Sequence, residues 1–94
     1  MRNISEIKVS TAKVNGEINV TVFVFAEDDK NGQFTVGYER GVSELMCVYD
    51  GHVNTEDPGT GPDEEYERFD QAVESEYVWV FEIAKCIADK LTEK

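Results

Sequence analysis

The stretch KVNGEINVTVFVFA, residues 13–26, decides how the first half of the chain folds. Its Asn15-Gly16 dipeptide is the strongest short-range signal for a β-hairpin, and it favours a type I′ turn. The residues after the turn alternate strictly, so that Val20, Val22 and Val24 share one face of a strand. The stretch therefore predicts a hairpin with one apolar face.

The register of this hairpin follows from the turn. A two-residue turn at Asn15-Gly16 sets Val9 opposite Val22. This register keeps the apolar residues of both strands on the same face, so that turn chemistry and hydrophobic pattern agree. We expect paired strands over residues 6–14 and 17–26.

A second hairpin follows, and its register depends on loop length. A three-residue loop over residues 30–32, with its glycine in the left-handed region, sets Val36 opposite Ala26. We prefer this register because a two-residue turn at Asn31-Gly32 would oppose Val36 to an acidic side chain. The third strand then covers 33–40, and a fourth strand covers about 42–49.

The second half of the chain is predicted to be helical after a loop. Residues 50–61 lack periodicity and are rich in glycine, which is typical of a loop. Pro62, followed by three acids, suits the first turn of a helix. Apolar residues then recur every three or four positions as far as Leu91. We expect one helical region over 62–92, unbroken or interrupted near Ser75.

These elements define a single α+β domain over residues 1–94. It consists of a four-stranded antiparallel β-meander over 1–49, an acidic loop over 50–61 and a C-terminal helical region over 62–92. A chain of 94 residues is long enough for one core and too short for two.

The charge of the chain is concentrated in one segment. The net charge is −11, with 20 acids against 9 bases. Residues 50–76 carry ten acids and one base, whereas residues 77–94 are neutral and residues 1–49 carry a net −2. This balance argues against direct binding to nucleic acid or an anionic membrane, because phosphate contacts require Lys and Arg.

The acidic segment contains the candidate partner-binding residues. On a helix, Asp63, Glu67, Asp70 and Glu74 would form one row. A row of like charges at this spacing costs a few tenths of a kcal/mol per pair. One interpretation is a solvated helix face, and the other is a surface kept for a basic partner. The predicted binding set is Glu56, Asp57, Asp63, Glu64, Glu65, Glu67, Asp70, Glu74 and Glu76.

Catalytic and cofactor motifs are not evident in the sequence. His52 is the single histidine and lies in a polar loop, and no serine lies in a nucleophile-elbow pattern. Cys47 and Cys86 stand in apolar contexts, which favours buried thiols over a disulfide. Glu27 opens a partial match to a calcium-binding loop, but Tyr38 stands where the bidentate Glu is required. We expect no enzyme activity, no cofactor and no metal site, while weak Ca²⁺ binding by the acidic loop stays open.

A second candidate surface is apolar. Phe23 and Phe25 point away from the valine face of their strand, and one helix can cover only one face of a sheet. Trp79 and Ile83 widen the apolar arc of the helix. These four residues are either scattered surface groups, a homodimer interface or a contact with another protein.

Together these features favour a non-catalytic interaction module with an acidic recognition surface. Its target would be a basic protein surface, above all a nucleic-acid-binding site in which carboxylates replace phosphates. In size, charge and build the chain resembles small acidic inhibitors encoded by phages and mobile elements, although no motif carries the resemblance. The alternative is a small homodimeric assembly protein whose acids only provide solubility. Residues 1–5 contain no secretory signal pattern, so we expect a cytoplasmic protein.

Overall fold

The computed structural model describes residues 1–41, 44–56, 61–66, 71 and 76–92. Its elements are β1 (Asn3–Val14), β2 (Glu17–Asp28), β3 (Gly32–Arg40), β4 (Glu44–Asp50), β5 (Glu64–Tyr66) and α1 (Val78–Thr92).

The strands form one antiparallel sheet in the order β1-β2-β3-β4-β5. The α+β class and the antiparallel sheet are therefore confirmed. The expectation of four strands was incomplete, because β5 adds a fifth along the outer side of β4. The described part of the chain contains no helix long and apolar enough to cross a membrane.

The first hairpin has the predicted turn and register. Asn15 and Gly16 have φ values of 53° and 83°, which are the positive values that a type I′ turn requires. Val14 pairs with Glu17, and Val9 pairs with Val22. Close to the start of β1 the register shifts by one residue, which is the signature of a β-bulge.

The second hairpin keeps the predicted face but not the predicted register. Val36 pairs with Val24 rather than Ala26, a slip of two residues. The cause is the Asp28 carboxylate, which accepts hydrogen bonds from the backbone N–H and the side-chain amide of Asn31, at 2.6 and 3.2 Å. These bonds close the loop one position earlier, and Gly32, at φ 67°, pairs with Asp28 instead of lying in the loop.

The core lies between one face of the sheet and α1. The helix packs mainly on β2 and β3. It buries four side chains completely, and two of them are alanines that allow a close approach to the sheet. The core cluster consists of Val20, Val22, Val24, Ala26, Phe34, Val36, Tyr38, Met46, Val48, Val80, Phe81, Ala84 and Ala88.

The prediction that a helix begins at Pro62 was wrong. Residues 64–66 form β5, Gln71 is helical, and α1 begins at Val78 after a turn at 76–77. The acids after Pro62 suit a first helical turn, but pairing with β4 outweighs this local preference, and Tyr66 packs its ring edge-on against Phe81. The predicted break near Ser75 falls partly outside the described residues.

The far end of α1 is tied to the sheet by ion pairs. Asp89 pairs with Arg40 at the end of β3, and with Lys85 one helical turn away. The Asp89–Lys85 distance is 2.8 Å. These contacts orient the helix across the strands, whereas the burial of its apolar face supplies most of the stabilisation.

The buried tyrosine Tyr38 predicts a loss of stability in alkali. Burial, followed by its 2.7 Å hydrogen bond to Glu44, raises the pKa of the Tyr38 phenol far above its usual value of about 10. Because the folded-state pKa is raised, this stabilisation is complete below pH 10 and decreases as pH rises above the unfolded-state pKa. We expect the free energy of unfolding to fall between pH 10 and 12, and Tyr38→Phe to reduce the slope by up to about 1.4 kcal/mol per pH unit.

Urea denaturation of both proteins across this pH range measures the two slopes. Equal slopes in wild type and Tyr38→Phe would contradict the assignment. Tyr49 and Tyr77, whose pKa values burial raises to about 12, contribute to the remaining dependence.

Candidate interaction surface

The described acidic residues gather at the β5 edge of the sheet. The N–H of Asp63 donates to the carbonyl of Val48, 2.8 Å away, which brings the chain alongside β4. The Asp63 carboxylate in turn accepts the backbone N–H of Asp50 at 2.6 Å. Asp63 therefore joins the end of β4 to the beginning of β5 and places two exposed carboxylates side by side.

The two glutamates of β5 project from opposite faces of the sheet. Glu64 pairs with Val48 on the face that α1 covers, and its carboxylate accepts a hydrogen bond from the Tyr66 hydroxyl at 3.2 Å. Glu65 pairs with Cys47 and so lies on the other face. Strand geometry thus spreads the acidic charge around the edge of the sheet instead of along one helix face.

A shallow cleft adjoins this edge. Its lining residues are Lys30, Asn31, Phe34, Val48, Tyr49, Asp50, Asp63, Glu64 and Tyr77. Glu76 lies near the cleft and forms a 2.6 Å salt bridge with Lys30, and this contact raises the pKa of the Lys30 ammonium. The pKa of Tyr77 is raised to about 12 by burial first and then by Glu64 and Glu76, so this phenol stays neutral at physiological pH.

We name the described members of this cluster the acidic edge: Asp50, Asp63, Glu64, Glu65 and Glu76. Four of them belong to the predicted set, namely Asp63, Glu64, Glu65 and Glu76, and all four are exposed, whereas Asp50 was not predicted. Glu56 is not part of it, because it lies with Lys8 and Phe23 on the face opposite α1. The predicted residues Asp57, Glu67, Asp70 and Glu74 lie outside the described residues, and Asp63 precedes a strand instead of lying on a helix.

The predicted oligomer-interface residues are separated into two places. Phe25 is buried beneath the ring of His52, with ring centroids 5.2 Å apart, and Phe23 is half-buried. Trp79 and Ile83 are half-buried on α1, on the opposite side of the sheet. The interface assignment stays a prediction, but these residues do not form one patch.

Phe25 and Trp79 each contact a defined partner within the chain. The loop after β4 places His52 over Phe25. Thr35 anchors this loop, because its hydroxyl donates to the Gly51 carbonyl at 2.8 Å and accepts the Val53 N–H. Trp79 lies edge-on to Phe34, and the Arg2 guanidinium lies 5.3 Å from its ring centroid.

One feature that the sequence did not predict is a line of four cross-strand neighbours on the face of the sheet opposite α1. Phe23, Gly37, Cys47 and Glu65 pair in succession from β2 to β5. A side chain at Gly37 would place its Cβ 2.8 Å from the Cys47 sulfur and 3.3 Å from the Phe23 ring. A strand glycine is the signal that could have indicated this close approach.

The cysteines and potential metal ligands among the described residues do not form a reactive site. Burial raises the pKa of the Cys47 thiol, so it stays protonated and unreactive. Cys86 is also free, but the prediction that it is buried was wrong, because it lies on an exposed face of α1. Within residues 1–41, 44–56, 61–66, 71 and 76–92, no three His, Cys, Asp or Glu side chains are placed to hold a metal ion.

Comparison with known proteins gives no relative for this chain: no family model, curated protein sequence or solved structure matches it.

The packing at Gly37 predicts a context-dependent mutation. We expect Gly37→Ala to lower the free energy of unfolding by about 1–3 kcal/mol, because the new methyl group collides with the Cys47 sulfur. In a Cys47→Ala background the same change should cost distinctly less. Urea denaturation of the four proteins in this cycle measures the coupling.

Gly61→Ala is the matched control, because a Cβ at Gly61 meets open space. It should change stability by less than about 0.5 kcal/mol. An equal cost of Gly37→Ala in both backgrounds would show that contact with sulfur is not the cause.

Proposed function

We propose that this protein is a non-catalytic interaction module that binds a basic protein surface through the acidic edge. The observation that carries the proposal is the convergence of exposed carboxylates on a single margin of the sheet. In the described cleft Lys30 is the nearby cation, and Glu76 already engages it. A partner that brings Lys or Arg would relieve the repulsion among the remaining carboxylates.

The partner that best fits such a surface is a nucleic-acid-binding protein. Carboxylates spread over both faces of a strand offer negative charge over a broad arc, as phosphates do. By occupying a basic groove, the module would block nucleic-acid binding by the target protein. Small acidic inhibitors encoded by phages and mobile elements act in this way as a class. A cytoplasmic location belongs to this proposal, since such targets act in the cytoplasm.

An assembly protein is the second candidate function. It is favoured by a separate observation, the exposed apolar side chains along β1 and the turn of its hairpin. In that case the acidic edge only keeps the assembly soluble. The two functions differ in which surface a mutation must disrupt.

The test removes charge from the acidic edge without changing its shape. The variant combines Asp63→Asn, Glu64→Gln and Glu65→Gln, and asparagine retains the side-chain oxygen that accepts the Asp50 N–H. The matched control combines Glu6→Gln, Glu17→Gln and Glu82→Gln, three exposed acids elsewhere that change the net charge equally. Each protein is immobilised and exposed to lysate of the source cell at low and then high salt.

We expect the wild type and the control to retain a nucleic-acid-binding protein that elutes as salt rises or when duplex DNA is added. Removing three interfacial charges should weaken retention at least about tenfold, because binding of this type depends on complementary charge. Full retention by the acidic-edge variant would refute the proposal, as would equal losses in the variant and its control.

A further inference from the structure

β1 is a long strand at the edge of the sheet with no described pairing partner on its outer side. It spans twelve residues and pairs with β2 alone. All but one of its residues are exposed. An edge of this length presents a row of unpaired N–H and C=O groups, which is a template for another strand.

The turn determines which backbone groups of β1 point outward. Val14 and Glu17 flank the type I′ turn, whose hydrogen bond makes them a bonded pair. Antiparallel pairs alternate between bonded and non-bonded, and the register is continuous as far as Glu6. The residues whose N–H and C=O groups face away from β2 are therefore Ile7, Val9, Thr11 and Lys13.

Apolar side chains accompany this open backbone. Among the described residues, seven large hydrophobic side chains are exposed, and five of them lie on or beside the first hairpin: Ile7, Val9, Val14, Ile18 and Leu91. Ile7 and Val9 are 40% and 43% exposed, although they pair with the fully buried Val24 and Val22. The apolar face of the sheet thus continues onto β1 beyond the area that α1 covers.

Charge distinguishes β1 from the rest of the molecule. β1 carries two bases and one acid, a net +1, whereas the other 82 residues carry a net −12. β5, which carries Glu64 and Glu65 of the acidic edge, lies at the opposite margin of the sheet, beyond β4. Two β1 strands, each with a net charge of only +1, therefore repel each other less than two acidic edges would.

β1 has few of the features that normally prevent an edge strand from pairing with another chain, such as proline, a central β-bulge or a lysine on its inner face. β1 contains no proline, and its bulge lies close to its first residues. Lys8 is turned onto the outer face, where its ammonium lies 5.7 Å from the centroid of the Phe25 ring. The segment from Ile7 to Thr11 is left regular and open to pairing.

We propose that β1 is a self-association edge at which two copies pair antiparallel around a two-fold axis at Ser10. Residues 6–14 lie between the bulge and the turn, so this register uses the whole regular strand. Ile7 of one copy faces Lys13 of the other, and Val9 faces Thr11, all four being residues with outward backbone groups. The pairing makes up to about eight hydrogen bonds.

The register is also compatible with the side chains. Glu6 faces Val14 and Lys8 faces Ala12, so no like charges are directly opposed. The product is a continuous ten-stranded sheet whose two β5 strands lie nine spacings apart, about 43 Å. Such a dimer carries an acidic edge at each end. Its formation does not depend on the proposed function of those edges.

The first test is the oligomeric state of the full chain by sedimentation equilibrium over about 5–200 μM. We expect a dimer, and we expect Val9→Lys to raise its dissociation constant at least about tenfold by placing a charge on the apolar seam. Leu45→Lys is the matched control, because Leu45 is 38% exposed but lies on β4. It should leave dimerisation unchanged, and circular dichroism checks that both variants are folded.

The second test detects the two-fold axis directly. In a Cys86→Ser background, Ser10→Cys places two thiols in a non-hydrogen-bonded pair with Cα atoms about 4.5 Å apart, within the range of a disulfide. Ala12→Cys, two residues along the same face, separates the thiols by about 13 Å. In a glutathione redox buffer we expect a covalent dimer from Ser10→Cys and not from Ala12→Cys.

Several outcomes would overturn the proposal. These are a monomer throughout the concentration range, a dimer that Val9→Lys does not weaken, and equal cross-linking of the two cysteine variants. A monomer that captures a foreign protein from lysate, and loses it with Val9→Lys, would assign the edge to a strand of that protein instead. Loss of basic-partner binding in the acidic-edge variant with the dimer intact would leave the proposal standing.

Discussion

The packing of α1 on the valine face of β2 and β3 is the contact on which the rest of the structure depends. Val20, Val22, Val24 and Val36 are fully buried beneath the helix. Ala84 and Ala88 keep the helix close to them, so these valines lose nearly all contact with water. The element that covers the sheet also fixes which parts of the sheet stay uncovered.

The width of α1 explains why it does not cover the whole of the described sheet. A helix with its side chains is about 10 Å across, whereas five strands span about 19 Å from the first to the last. α1 therefore covers the middle of the sheet, and β1 and β5 lie at its sides. One margin is basic and apolar, and the other is acidic, so the chain presents two chemically different edges from one small core.

The sequence predicted those parts of the fold that a short local motif determines. The Asn15-Gly16 turn defines the β1–β2 register because both of its residues adopt the positive φ values that the turn needs. The β2–β3 register could not be predicted from face alternation, since a slip of two residues preserves the face. There the Asp28 side chain, bonded to Asn31, decides the loop. The beginning of the helix was mispredicted because the acids after Pro62 favour a helical first turn, and only the distant β4 provides the competing strand partner.

The sequence predicted the candidate surfaces, like the fold, only in part. The clustering of acids is a property of composition, so the acidic segment was identified without a structure, but its shape was not. The distribution of Glu64 and Glu65 over two faces depends on β5, which no local pattern indicated. The exposure of Ile7 and Val9 was likewise hidden, because alternation predicts a core face and says nothing about how far a helix reaches across it.

Amide hydrogen exchange, followed residue by residue along β1 at low and high protein concentration, tests whether this strand is an open, self-pairing edge. We expect the amides of Lys8, Ser10 and Ala12, which face β2, to be protected at every concentration. Ile7, Val9, Thr11 and Lys13 should exchange rapidly in dilute protein and become protected as concentration rises. Uniform exchange along β1, or an alternation that does not respond to concentration, would contradict it.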